Sequence, residues 1–107
     1  MRSLFFKKKY LEFILEGKKP LEGRVGYNNI RNLKIGDLIL LNGRFRAQII
    51  DIRRYPTFKD AINEKNYKLL IPDASSIDET IKMYEKIFPL EKQIELGIYI
   101  LELRYPI

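Results

Sequence analysis

The stretch IGDLILLNGRFRAQIIDIRRY, Ile35 to Tyr55, decides how the chain must be built. Ile35-Gly36-Asp37 reads as a turn. Leu38-Ile39-Leu40-Leu41 is then a continuous apolar run of strand length, and Asn42-Gly43 is the strongest short-range signal for a hairpin. A second strand must return from it, and Phe45 to Tyr55 supplies one. Regular alternation there puts Ala47, Ile49 and Asp51 on one face and Gln48, Ile50 and Ile52 on the other. Neither face is wholly polar, so both are expected to be partly covered.

Outward from this hairpin, Leu4 to Phe6 has the makings of a short strand. From Lys8 to Glu16, Tyr10, Leu11, Ile14 and Leu15 recur at helical spacing, with Gly17 where a left-handed terminating residue belongs. Pro20 bars further helix, so Lys19 to Tyr27 reads as a strand. In a regular strand Lys19 would face away from Glu22 and Arg24, and a kink at Pro20 would bring them together. Thr57 can cap a helix from Phe58 to Glu64, followed by a loop containing Pro72. Ser76 precedes a second amphipathic helix bearing Ile77, Ile81, Tyr84, Ile87 and Phe88, which Pro89 closes. Gly97 to Tyr105 reads as a final core strand. The strands around the hairpin lie too close in sequence for helical crossovers, so the fold class is α+β: a small mixed β-barrel with helices packed across its openings.

A chain of 107 residues has room for a single domain, 1–107. Apolar residues make up 46% and charged residues 32%, which is a globular balance. Cysteine and histidine are both absent. Disulfides, thiolate metal sites and imidazole general bases are thereby excluded, and no metal or other cofactor is expected. No phosphate loop, dinucleotide-binding glycine pattern or nucleophile elbow occurs. The only apolar patch near Met1 is Leu4-Phe5-Phe6, too short for a signal peptide or membrane span, so a cytoplasmic protein with no membrane partner is expected. The net charge of +6 favours anionic partners, and Lys7, Lys8, Lys9, Lys18, Arg44, Arg46, Arg53 and Arg54 are candidates for a basic surface along a phosphate backbone. A solvated charged face accounts equally for any one of them.

The charged motif Gly17-Lys18-Lys19-Pro20-Leu21-Glu22-Gly23-Arg24, followed by the Ile35-Gly36-Asp37 turn, resembles the G-x-K-x-x-E-x-R and G-D pattern of the ASCH domains, which belong to the PUA-like superfamily. Further matches in order are Ile52 to Phe58, Tyr84 to Pro89 and the last strand after Gly97. The resemblance implies a PUA-like barrel and a cleft lined by Lys19, Glu22 and Arg24 that binds RNA or a nucleoside-like molecule. It also implies Glu79 facing them. One small bacterial branch of the family is an amidohydrolase of acetylcytidine that uses a lysine, a threonine and a glutamate. Lys19 and Glu79 fall at the lysine and the glutamate, whereas Glu22 stands at the threonine position. Hydrolysis of acylated nucleosides is therefore the alternative activity, with Lys19 and Glu79 catalytic, and a protein-interaction module is the third reading.

The residue types fit binding chemistry independently. Arg24 offers a planar fork to phosphate or a base edge, and Glu22 can orient either cation or accept from an exocyclic amine. Glu22 and Arg24 also fit a structural ion pair. Glu79 fits a capping box closing on Ser76, and Tyr27 and Tyr99 fit either base stacking or the core. The protein is expected to be a monomer.

Overall fold

The computed structural model describes all residues from Met1 to Ile107. The elements are β1 (Ser3–Leu4), α1 (Lys8–Leu15), β2 (Leu21–Val25), α2 (Asn28–Arg31), β3 (Leu38–Leu41), β4 (Phe45–Tyr55), α3 (Phe58–Ala61), α4 (Tyr67–Leu70), α5 (Ile77–Ile87), α6 (Leu90–Leu96) and β5 (Ile98–Arg104). The strands form one five-stranded mixed sheet in the order β1-β3-β4-β5-β2. β1 runs parallel to β3, and the remaining pairs are antiparallel.

The hairpin forms where the sequence places it. Asn42 and Gly43 both have positive φ, at 51° and 70°, and the Arg44 amide donates to the Leu41 carbonyl at 3.0 Å. The Asn42 side chain also exchanges two hydrogen bonds with the Phe6 backbone, accepting at 2.8 Å and donating at 2.9 Å. An amide side chain thus prolongs the short β1–β3 ladder by imitating a strand backbone.

Two apolar layers cover the sheet. Ile39, Leu41, Ala47, Ile49, Leu101 and Leu103 face Leu4, Ile14 of α1, and Ile30 and Leu33 around α2. Val25, Ile98 and Ile100 face Phe58, Ala61, Leu70 and Tyr84 from α3, α4 and α5. Each valine, leucine and isoleucine among them contributes about 1.5–3 kcal/mol by burial. The strict alternation expected along β4 breaks at a bulge. Ile49 pairs with Leu103 and Asp51 with Glu102, so Ile50 is left over. The bulge turns Ile52, opposite Leu101, onto the same face as Ile49.

Several expected elements take a different form. The expected helix over Phe58 to Glu64 ends at Ala61. The Asn63 side chain accepts from the Lys65 and Asn66 amides, and Asn66 accepts from the Asn63 amide while donating to the Ala61 carbonyl. These short-range bonds offer the backbone a turn in place of another helical turn. The expected loop before Pro72 contains α4. α2 and α6 are short helices without the amphipathic length that periodicity detects.

The expected barrel is not closed, because β1 and β2 remain edges with no pairing between them. The physical reason lies in the charged motif. The Gly23 amide, which points away from β5 on the outer side of β2, donates to the Glu22 carboxylate at 2.9 Å. The Arg24 guanidinium donates to the Phe5 carbonyl just beyond β1 at 2.8 Å. Side chains occupy the seam that a backbone ladder would need.

Gly26 marks a close approach at the other end of β2. A Cβ there would sit 2.5 Å from Tyr99 Cε1 and 2.6 Å from the Leu96 carbonyl oxygen. Gly26→Ala should therefore destabilise by about 1–3 kcal/mol through forced backbone displacement. Urea denaturation that placed the variant within about 0.5 kcal/mol of the parent would contradict this packing.

Candidate functional site

Lys19 leaves α1 through a Schellman turn. The Lys18 amide donates to the Phe13 carbonyl, the Gly17 amide to the Ile14 carbonyl, and Gly17 has φ 80°. The strand begins only at Leu21, so Lys19 and Pro20 precede it and regular alternation does not govern them. The kink at Pro20 brings Lys19 to Glu22. Lys19 is 2% exposed, and its ammonium donates to the Leu70 carbonyl at 2.6 Å, the Leu21 carbonyl at 2.7 Å and Glu22 Oε1 at 3.1 Å. All three ammonium donors are engaged.

Glu22 is 7% exposed and is the hub of the network. Its Oε1 accepts from Lys19, from the Gly23 amide and, at 3.0 Å, from the Tyr84 hydroxyl. Its Oε2 accepts from Arg24 Nε at 2.8 Å. Arg24 lies 4.9 Å over the Phe6 ring. Burial pushes the Lys19 pKa below the ordinary lysine value, against the opposing pull of Glu22. Burial alone would raise the Glu22 pKa, but the charges of Lys19 and Arg24 and their hydrogen bonds outweigh it and hold the carboxyl below 4.5. Burial, with the Glu22 charge added, raises the Tyr84 phenol well above 10.0.

A carboxyl depressed in the folded state stabilises the protein fully above its unfolded value and loses that contribution as pH falls through the folded one. Stability should consequently fall as pH drops below 4.5. The urea midpoint measured from pH 7 to pH 3 checks this, and a midpoint that holds constant through pH 3 contradicts it.

Above the network lies a cavity of about 100 Å³, walled by Phe5, Phe6, Lys7, Tyr10, Ile71 and Tyr84, with Lys19, Glu22 and Arg24 at its base. Sequence reasoning named the charged residues but missed the aromatic walls. Tyr84 was legible only as one position of an apolar helix stripe, and nothing in that periodicity signals that its hydroxyl meets Glu22.

Glu79 is not brought to this cluster. It lies at the exposed start of α5, where its carboxylate accepts from the Ser75 amide at 3.1 Å and from the Ser75 hydroxyl. The Ser76 hydroxyl accepts from the Glu79 amide at 3.0 Å, so the residue completes an N-terminal cap displaced by one position from the expected box. Tyr27 is also outside the cavity; it is the N-cap of α2 and is exposed. Tyr99 is buried in the core.

The basic residues are dispersed. Lys7 lines the cavity and Lys8 is exposed beside it, whereas Lys9 pairs with Asp73 and Lys18 with Glu16. Arg44 packs over Phe45 at 5.0 Å, Arg53 pairs with Asp51 at 3.0 Å, and Arg54 packs over Tyr99 at 5.1 Å. Arg46 and Arg54 stand near opposite ends of β4, roughly 26 Å apart at ~3.3 Å per residue. No single stripe holds them all. No helix is long and apolar enough to cross a membrane.

The sequence model of the ASCH domain matches residues 4–103. No curated protein matches the chain. Among solved structures, the crystal structure of hypothetical protein PH0355 is similar at a TM-score of 0.89 and 28% identity, over 97% of this chain and 98% of that one. The solution structure of protein PF0455 from Pyrococcus furiosus is similar at a TM-score of 0.81 and 27% identity, over 96% of this chain and 94% of that one. With the charged motif, the glycine-aspartate turn and nearly the whole length accounted for, the chain belongs to the ASCH domain family, whose fold is PUA-like.

Proposed function

We propose that this domain binds single-stranded RNA, taking one base edge or phosphate group into the cavity above Lys19, Glu22 and Arg24. The observation that carries this reading is the hydrogen-bonding capacity left at the cavity base. Lys19 has none to spare, since its three donors end on protein acceptors. Arg24 spends Nε on Glu22 and one Nη2 proton on Phe5, which leaves Nη1 and the second Nη2 proton. Glu22 Oε2 retains a lone pair beside them. Adjacent donors and an acceptor in a sheltered recess suit the edge of a base, and the fork alone suits a phosphate. Lys19 is the member that orients Glu22.

The size of the recess limits what enters. Pockets that enclose a whole small molecule measure about 300–1,000 Å³, and this one holds about 100 Å³. Most of the ligand would stay outside, over the Phe5 ring, which is 68% exposed, and near Lys7. An aromatic platform beside a cation is the usual means of holding a single strand.

Fluorescence anisotropy with a labelled random-sequence 12-nucleotide RNA tests the reading. Binding should weaken as salt rises, with Lys7→Gln lowering the log–log slope by about 0.7. Absence of binding at low ionic strength, or binding indifferent to salt, would overturn it.

A second reading, hydrolysis of an acylated nucleoside, draws on the depressed Lys19 pKa and its contact with Glu22. Water would add to the acyl carbonyl while giving a proton to the free lone pair of Glu22 Oε2, and the exocyclic amine would leave with that proton, yielding a carboxylic acid and the free nucleoside, with Lys19 holding Glu22 in place. Glu79 has no part in this version, since its carboxylate is engaged by Ser75. Incubation with acetylcytidine should then release cytidine, and a lack of turnover removes the reading.

A further inference from the structure

We infer that a second groove, lined by Arg31, Arg54, Pro56, Ile94, Glu95 and Gly97, is a phosphate subsite for the same RNA strand that enters the cavity. This rests on the RNA-binding reading and extends it to a separate surface. The groove has a volume of about 510 Å³, the largest concavity of the molecule.

Its charge is the first argument. Neither Arg31 nor Arg54 forms a hydrogen bond or ion pair with another side chain, while the groove's carboxylate, Glu95, pairs with Lys92 at 3.5 Å. The C-terminal end of α6 adds about half a negative charge, which offsets only part of one guanidinium. The groove stays positive with both forks unspent.

Its geometry is the second. Arg24, Tyr99 and Arg54 are opposite one another across β2, β5 and β4, so they form one row over three strands. The Arg54 guanidinium lies 5.1 Å over the Tyr99 ring, a cation–π contact that restrains the side chain without using its hydrogen-bond donors. Two strand spacings of ~4.8 Å separate the backbones of Arg24 and Arg54 by about 10 Å. Tyr99 between them is buried, so a strand with one group held at Arg24 passes around it and lays a phosphate a few nucleotides further on at Arg54. Ile94, 66% exposed, and Pro56 give an apolar surface on which a base can rest.

The experiment measures the salt dependence of binding of the same labelled 12-nucleotide RNA by the full chain, Arg54→Gln, Arg31→Gln and Lys7→Gln. Gln keeps much of the aliphatic stem, and far-ultraviolet circular dichroism confirms that each variant is folded. Each arginine variant should lower the log–log slope by about 0.7, so that the loss of affinity between 50 and 200 mM salt shrinks about threefold. Unchanged slopes in both arginine variants, with a reduced slope for Lys7→Gln, would overturn the groove and leave the cavity reading intact. A parent protein that binds no RNA overturns both.

Discussion

Replacing Glu22 with alanine is expected to destabilise the fold by about 3–5 kcal/mol, because removing one partner of a buried charge pair leaves the other charged and uncompensated. The loss reaches further than one bond. The Lys19 ammonium, the Tyr84 hydroxyl, the Gly23 amide and Arg24 Nε all donate to this carboxylate. Every buried side-chain nitrogen and oxygen in the structure has a partner, so no spare acceptor stands ready. Against a total stability of about 5–15 kcal/mol for a domain, the variant should be marginal at best. Replacing both charges, Lys19→Met with Glu22→Leu, should recover part of the loss, since apolar side chains of similar volume remove the stranded charge as well. Urea denaturation of the single and double variants is the measurement. A single variant within about 1 kcal/mol of the parent would show that the carboxylate is not the hub of the seam.

Phe58→Ala should cost a comparable amount, about 3–5 kcal/mol, by a different mechanism. Phe58 is fully buried and stacks at 4.6 Å on Tyr84 and at 5.6 Å on Phe88. It also sits under Gly23, where a Cβ would lie 2.7 Å from its ring. Truncation opens a cavity between α3, α5 and β2, and it loosens Tyr84, whose hydroxyl holds Glu22. Phe58→Leu, which refills much of the volume, should cost clearly less. Equal losses for the two variants in denaturation would mean that the ring's volume is not what matters. Phe58→Ala should also weaken RNA binding in the anisotropy measurement without removing any group that touches the ligand.

The hairpin, the long helices and the capped start of α3 were legible because they are local. Asn42-Gly43 demands positive φ, Ser76 and Thr57 are caps, and the stripe of α5 repeats over three turns. α2, α4 and α6 were not legible, because a helix of one or two turns leaves too few positions for a period to emerge. The bulge at Ile50 was equally hidden. Its cost is one unpaired residue, and its benefit is Ile52 on the core face, which depends on β5 lying alongside.

The candidate site divides along the same line. Glu79 satisfies two descriptions in sequence, a site acid and a helix cap, and its carboxylate ends on Ser75 because a partner four residues away is always within reach. Gln93 went unmarked, yet its buried amide ties the Phe58 amide to the Phe88 carbonyl and so joins the start of α3 to the end of α5. Nothing in its sequence neighbourhood distinguishes it from a surface glutamine.

What the amino-acid sequence determined alone was the α+β class, the hairpin at its centre, the family motif and the absence of imidazole and thiol chemistry. Each of these depends on residue identity or on contacts a few positions apart. Only the tertiary structure decided that the sheet stays open, and that Lys19, Glu22 and Arg24 fill the seam between β1 and β2 rather than decorate a turn. The reason is reach: the carbonyl of Leu70, the hydroxyl of Tyr84 and the carbonyl of Phe5 come from three distant segments, and a buried charge takes its meaning from the partners that folding delivers to it.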